Sequence, residues 1–184
     1  MLAKIADIVY KILGWKVVGE LPKVDKYMII MAPHTSNWDF VFFLLLKMKF
    51  DLKVRFIGKF SLFVGPLGWF LRKLGGEPVN QKKNQNVVDS VVNMFNENDK
   101  MIFVLSPEGT RSYRDHWKSG FYHIAIKAKV PINMAYLDAP TKEIGFGPTI
   151  ELSGDQQKDI KKIADFYKDK KGFRPDLACD ICLK

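Results

Sequence analysis

The sequence predicts one α/β domain whose central sheet, mostly parallel or mixed, carries helices on both faces. Three observations predict it. The segments Tyr27–Ala32 and Met101–Leu105 are solid apolar runs, as expected of strands buried on both faces. Segments of helical periodicity alternate with these and with weaker strand patterns. The 184 residues hold no internal repeat, low-complexity stretch or linker, and that length suits one core better than two. Residues 1–184 are therefore read as a single domain, with 1–15 as an amphipathic N-terminal helix.

Each element has its own signal. Between Met1 and Trp15, Leu2, Ile5, Ile8, Val9, Ile12 and Leu13 fall at helical spacing. Packing of this face on its own domain is the default expectation, and a lipid interface is the alternative. The strand Tyr27–Ala32 is closed by Pro33, and Asn37–Met48 reads as a helix. A short strand at Lys53–Gly58 precedes an apolar, glycine-broken segment, Leu62–Leu74. A Gly75-Gly76 turn introduces a brief strand, Glu77–Asn80. A helix at Val87–Phe95, the strand Met101–Leu105 and a helix at Lys118–Lys129 follow. Strands at Ile132–Leu137 and Glu143–Ile150 and a lysine-rich helix at Asp155–Lys170 complete the domain.

The formal charge of +9 and pI near 9.4 fit an anionic partner, whether nucleic acid, an anionic membrane face or phosphorylated substrates, and equally a protein kept soluble by its lysines. The basic residues are scattered and no RNA-recognition signature or P-loop occurs, so no nucleic acid is expected. The longest uninterrupted apolar run, Phe40–Leu46, has seven residues, against the ~20 of a spanning helix. No signal-peptide pattern stands at the N-terminus. The expectation is a cytoplasmic protein without a transmembrane helix. Cys179 and Cys182 form a C-x-x-C in the tail without a second ligand pair, which reads as a tail feature.

Two segments carry chemistry. In PHTSNWDF, residues 33–40, His34 stands just past a buried strand, where reactive groups of α/β sheets gather. On one continuous helix, His34 and Asp39 would project about 140° apart. A turn through Thr35-Ser36-Asn37 is needed to bring them together. The carboxylate can then hold one imidazole nitrogen and leave the other as a base. The competing reading is a capping box between Ser36 and Asp39. In LSPEGTRS, residues 105–112, Gly109 allows a turn with exposed amides, and these with Arg111 can hold a phosphate. An ordinary surface loop with a Glu108–Arg111 pair is the plainer alternative. Ser106 lacks the G-x-S-x-G setting of a nucleophile. His116 and His123 have no metal-ligand partners at useful spacing, and no metal is expected. The third feature, Lys59–Leu71, includes Phe60, Phe63, Trp69 and Phe70. It fits core packing, an acyl-chain groove or a segment that dips into a membrane.

From Pro33 to Asn133 the chain resembles the glycerolipid acyltransferases, of which the 1-acylglycerol-3-phosphate acyltransferases are best known. His34 and Asp39 match the family's H-x-x-x-x-D block, and Pro107–Ser112 matches P-E-G-T-R-S in full. Val130-Pro131-Ile132 matches a V-P-I block, although Asn133-Met134 departs from its continuation. The G-x-x-x-[DN]-R block is met by Gly76 and Asn80, but Gln81 stands at the Arg position, followed by Lys82 and Lys83.

The resemblance implies acyl transfer from acyl-CoA or acyl carrier protein to a hydroxyl of a lysophospholipid-like acceptor. His34 would be the base and Asp39 its orienting partner. Glu108, Gly109, Thr110, Arg111, Asn80 and Lys82 would bind the acceptor. No cofactor is implied, and an anionic membrane surface on the cytoplasmic side is the expected partner. Gln81 motivates a second reading with a non-phosphate acceptor, a lyso-aminolipid or polyol. A non-catalytic membrane-surface lipid binder is the third.

Overall fold

The computed structural model describes residues 2–79 and 87–184. Its strands form one mixed seven-stranded sheet. They are β1 (Lys16–Val18), β2 (Lys26–Ala32), β3 (Val54–Lys59), β4 (Gly76–Val79), β5 (Met101–Leu105), β6 (Ile132–Asp138) and β7 (Glu143–Ile150). The spatial order is β1-β7-β6-β2-β5-β3-β4. The strands from β6 to β4 are mutually parallel. Strand β7 is antiparallel to β6, and β1 follows β7. The helices are α1 (Leu2–Leu13), α2 (Trp38–Lys49), α3 (Gly65–Lys73), α4 (Val87–Glu97), α5 (Gly120–Ala128) and α6 (Gln156–Tyr167).

The pleat divides the core. Tyr27, Ile29 and Met31 of β2 pack toward Tyr10 of α1 and Phe42, Phe43 and Leu46 of α2. Met28, Ile30 and Ala32 point the other way, into a cluster with Val91, Phe121 and Ile163 of α4, α5 and α6. Side chains alternate across a strand, so covering both faces requires the uninterrupted apolar run of the sequence. Every residue of β6 is buried for the same reason.

Three expectations change. The three-residue strand β1, Lys-Val-Val, is too short to leave a periodic pattern; it forms because β7 offers an edge, with Lys16 opposite Glu143. The segment after β3 splits into a 3-10 turn, Phe60–Phe63, and α3, whose first turn holds Pro66, a position where the missing N–H costs nothing. The default expectation for α1 is reversed. Only Ala6 and Tyr10 are buried, and the Tyr10 hydroxyl donates to the Phe42 carbonyl at 2.7 Å. Leu2, Ile5, Ile8, Ile12 and Leu13 are exposed.

The chain past α6 returns to the site edge. The Arg174 N–H donates to Thr35 Oγ1 at 3.1 Å. Further on, the Trp117 N–H donates to the Cys182 carbonyl at 2.9 Å and that of Asp180 to the Arg114 carbonyl at 3.1 Å. The C-x-x-C stretch thus lies along residues 112–117, with Cys179 buried, Cys182 exposed and both thiols free.

Candidate active site

Strands β2 and β5 are parallel neighbours in which Ile30 faces Leu105. The loops that leave their C-terminal ends therefore start side by side. They are the two chemistry-bearing segments, far apart in sequence and joined by one bond: the His34 N–H donates to Glu108 Oε2 at 2.9 Å.

The turn through Thr35-Ser36-Asn37 delivers Asp39 to His34. The separation of Nδ1 and Oδ2 is 3.1 Å. The same oxygen accepts the N–H groups of Thr35 at 2.7 Å and Ser36 at 2.8 Å. Asp39 therefore does both things the sequence left open: it bonds back to the turn that starts α2 and it orients the imidazole. Its side chain is buried, and two backbone N–H donors on one oxygen hold it in place beside the imidazole. With Nδ1 committed to the carboxylate, Nε2 is left to exchange a proton.

Glu108 lies inside the protein at 1% exposure. Burial is the main cause that pushes its carboxyl up to about 7; the His34 N–H opposes this and the charge of Asp39 adds to it. Its carboxylate accepts from the His34 backbone and so holds the two loops together. Gly109, next to it, has φ of 61°. A Cβ there would meet Cδ and Cε of Lys118 at 2.9 Å. The glycine thus permits the turn and leaves room for the lysine chain.

Two cavities meet at His34. The larger, about 990 Å³, is lined by His34, Lys59, Leu62, Ser106, Gly109, Thr110, Arg111, His116, Lys118 and the start of α5, among others. Among the described residues, no carboxylate lies within ion-pair distance of Lys59, Arg111 or Lys118. Three unneutralised cations and a helix N-terminus favour an anion there. The smaller cavity, about 160 Å³, lies toward α2 and is walled by Met31, Phe40, Phe43, Phe56 and Val104.

The structure thus gathers His34, Asp39, Gly109, Thr110 and Arg111 at one sheet edge. Asn80 and Lys82 lie outside the described residues. Of the aromatic segment, Phe60, Trp69 and Phe70 are exposed while Phe63 is core, packed against Gly58. Lys59 and Lys118 escaped the sequence reading, because nothing separates two lining lysines from the many scattered over the chain. The buried Thr35 escaped too; its only signal was membership of the turn.

The H-x-x-x-x-D and P-E-G-T-R-S segments thus meet at the C-terminal edge of one α/β sheet, beside a cation-lined cavity. The chain belongs to the acyltransferase family, which residues 15–136 match. It is 28% identical over 161 residues to the 1-acyl-sn-glycerol-3-phosphate acyltransferase of Streptococcus pneumoniae, covering 79% of this chain and 56% of that one. It is 33% identical over 126 residues to the enzyme of the same name from Saccharomyces cerevisiae (64% and 40% covered). With the Haemophilus influenzae enzyme of that name it shares 30% over 133 residues (67% and 54% covered). The chain thus spans about half the length of these relatives. The fold matches the crystal structure of the 1-acyl-sn-glycerophosphate acyltransferase PlsC from Thermotoga maritima, with TM-score 0.63, 18% identity, 91% of this chain and 75% of that one covered.

Proposed function

We propose that this protein transfers a fatty acyl group from a thioester, acyl-CoA or acyl carrier protein, to a hydroxyl of a lysophospholipid-like acceptor such as 1-acylglycerol 3-phosphate. The observation that carries the reading is the His34–Asp39 contact of 3.1 Å at the mouth of a cation-lined cavity. Acyl transfer to an alcohol needs a base for the hydroxyl proton, a place for the headgroup and an apolar path for the chain. His34 takes the proton as the hydroxyl attacks the thioester carbonyl, and Asp39 stabilises the imidazolium that forms. Arg111, with Lys59 and Lys118, holds the acceptor's anionic headgroup. Arg111 offers a planar fork, and the lysines act as point charges. Glu108 positions His34 through its backbone. No step calls for a metal or cofactor.

The work is done at a membrane surface, on the cytoplasmic side where these donors occur. No helix among the described residues is long and apolar enough to cross a membrane. The outward faces of α1 and of the α3 region supply an apolar surface, with Trp69 and Phe70 among its members. Aromatic and aliphatic side chains flanked by lysines suit the headgroup boundary of an anionic bilayer.

The test is a grid of donors and acceptors with purified protein in mixed micelles. Both thioesters are offered with 1-acylglycerol 3-phosphate, a lyso-aminolipid and a simple polyol. The reading expects the phosphorylated acceptor to be used best. Preference for an uncharged acceptor would replace it with the non-phosphate alternative that Gln81 motivates. No transfer with any pair, from folded protein, would favour a lipid-binding protein without catalysis.

A further inference from the structure

Four residues line both cavities: His34, Ile57, Leu105 and Ser106. Only His34 and Ser106 bring polar side chains to this seam. The Ser106 hydroxyl oxygen is buried and has no hydrogen-bond partner among the described residues, His34 included. A buried hydroxyl without a partner is uncommon and destabilising, so its retention calls for a partner that arrives with the substrate.

The position defines that partner. Ser106 directly follows β5. By alternation it continues the side of Val104, which walls the smaller, apolar cavity. The cations Lys59, Arg111 and Lys118 all lie in the larger cavity. With the acceptor headgroup among the cations and the acyl chain on the apolar side, the thioester carbonyl falls at the seam.

We propose that Ser106 donates a hydrogen bond to the acyl carbonyl oxygen as negative charge gathers on it during transfer; this rests on the acyl-transfer reading above. The acceptor oxygen bonds to the carbonyl carbon while His34 takes the hydroxyl proton. Collapse of the tetrahedral intermediate breaks the C–S bond, and the thiolate leaves with the proton from the imidazolium. Ser106 keeps its own proton throughout. One step between staggered χ1 wells re-aims the hydroxyl without moving the backbone. With no base bonded to Ser106, nothing activates it as a nucleophile.

The test is Ser106→Ala, assayed with the best thioester and acceptor. Removing a donor used only in the transition state lowers kcat by roughly 10²–10³-fold, and KM for both substrates stays within about threefold. The variant melts no lower than wild type, since it loses a hydroxyl that bonds to nothing in the free protein. A kcat within about threefold of wild type would overturn the proposal, as would a loss confined to KM or a lower melting temperature. Acylated Ser106 in a rapidly quenched reaction would make it a nucleophile instead. If the wild type itself transfers no acyl group, the parent reading falls and this one with it; an unchanged variant beside an active wild type sinks this one alone.

Discussion

Asp39 gathers three groups at Oδ2: the Thr35 and Ser36 amides donate hydrogen bonds to it, and His34 Nδ1 lies 3.1 Å away. An amide in its place can still accept from the two backbone N–H groups, but it stabilises an imidazolium poorly. Asp39→Asn should therefore fold and lose ~10²-fold or more in kcat. Circular dichroism beside steady-state rates checks both halves, and a folded variant of normal kcat would remove Asp39 from the account. Glu108 makes a different prediction. Its folded carboxyl sits near 7 against an ordinary 4.5. Between those values the native protein holds a proton that the unfolded chain has released, so stability from this group falls as pH rises through the window. At 1.36 kcal/mol per unit the loss is about 3 kcal/mol. Glu108→Gln removes that component. The stability difference between wild type and variant, from urea unfolding at pH 4.5 and 7.5, should move by this amount against the wild type. A difference independent of pH would show that Glu108 ionises normally. The sequence made His34 and Asp39 visible because they sit on one short turn after an unmistakable strand. The inward course of Glu108 was hidden, because it depends on a partner backbone in the other loop.

Among the elements, α1 teaches most. Its periodicity announced an apolar face but not what the face meets. That is decided by tertiary packing, and here the helix docks through Ala6 and Tyr10, leaving the aliphatic stripe outside. Replacing Leu2, Ile5, Ile8 and Ile12 with serine should abolish most flotation with anionic vesicles and leave the melting temperature within a few degrees. Unchanged flotation would remove α1 from the membrane contact. The buried strands were legible almost to the residue, because burial on both faces leaves no polar position to blur the ends. The glycine-broken segment after β3 was legible only as apolar. Its division into a 3-10 turn and α3 depends on Phe63 turning in against Gly58 while Phe60, Trp69 and Phe70 turn out.

At the scale of the whole molecule, the excess of 29 basic over 20 acidic residues takes on a location. Lys59 at the end of β3, and Arg111 and Lys118 in the connection from β5 to α5, come from two distant parts of the chain to one cavity, an assembly that no local pattern could announce. Arg111→Gln should raise KM for a phosphorylated acceptor at least tenfold while leaving KM for an uncharged one within about threefold, as expected when a charge-assisted contact is lost. Equal effects on both acceptors would place Arg111 outside headgroup recognition. The central claim is narrower than any of these: that the histidine at the edge of this sheet is the base of an acyl transfer. Its most direct test is the initial rate of acyl transfer from acyl-CoA and from acyl carrier protein to 1-acylglycerol 3-phosphate, wild type against His34→Ala. The account predicts turnover by the wild type and a loss of ~10³-fold or more in a variant that remains folded; a His34→Ala rate within about threefold of wild type would contradict it.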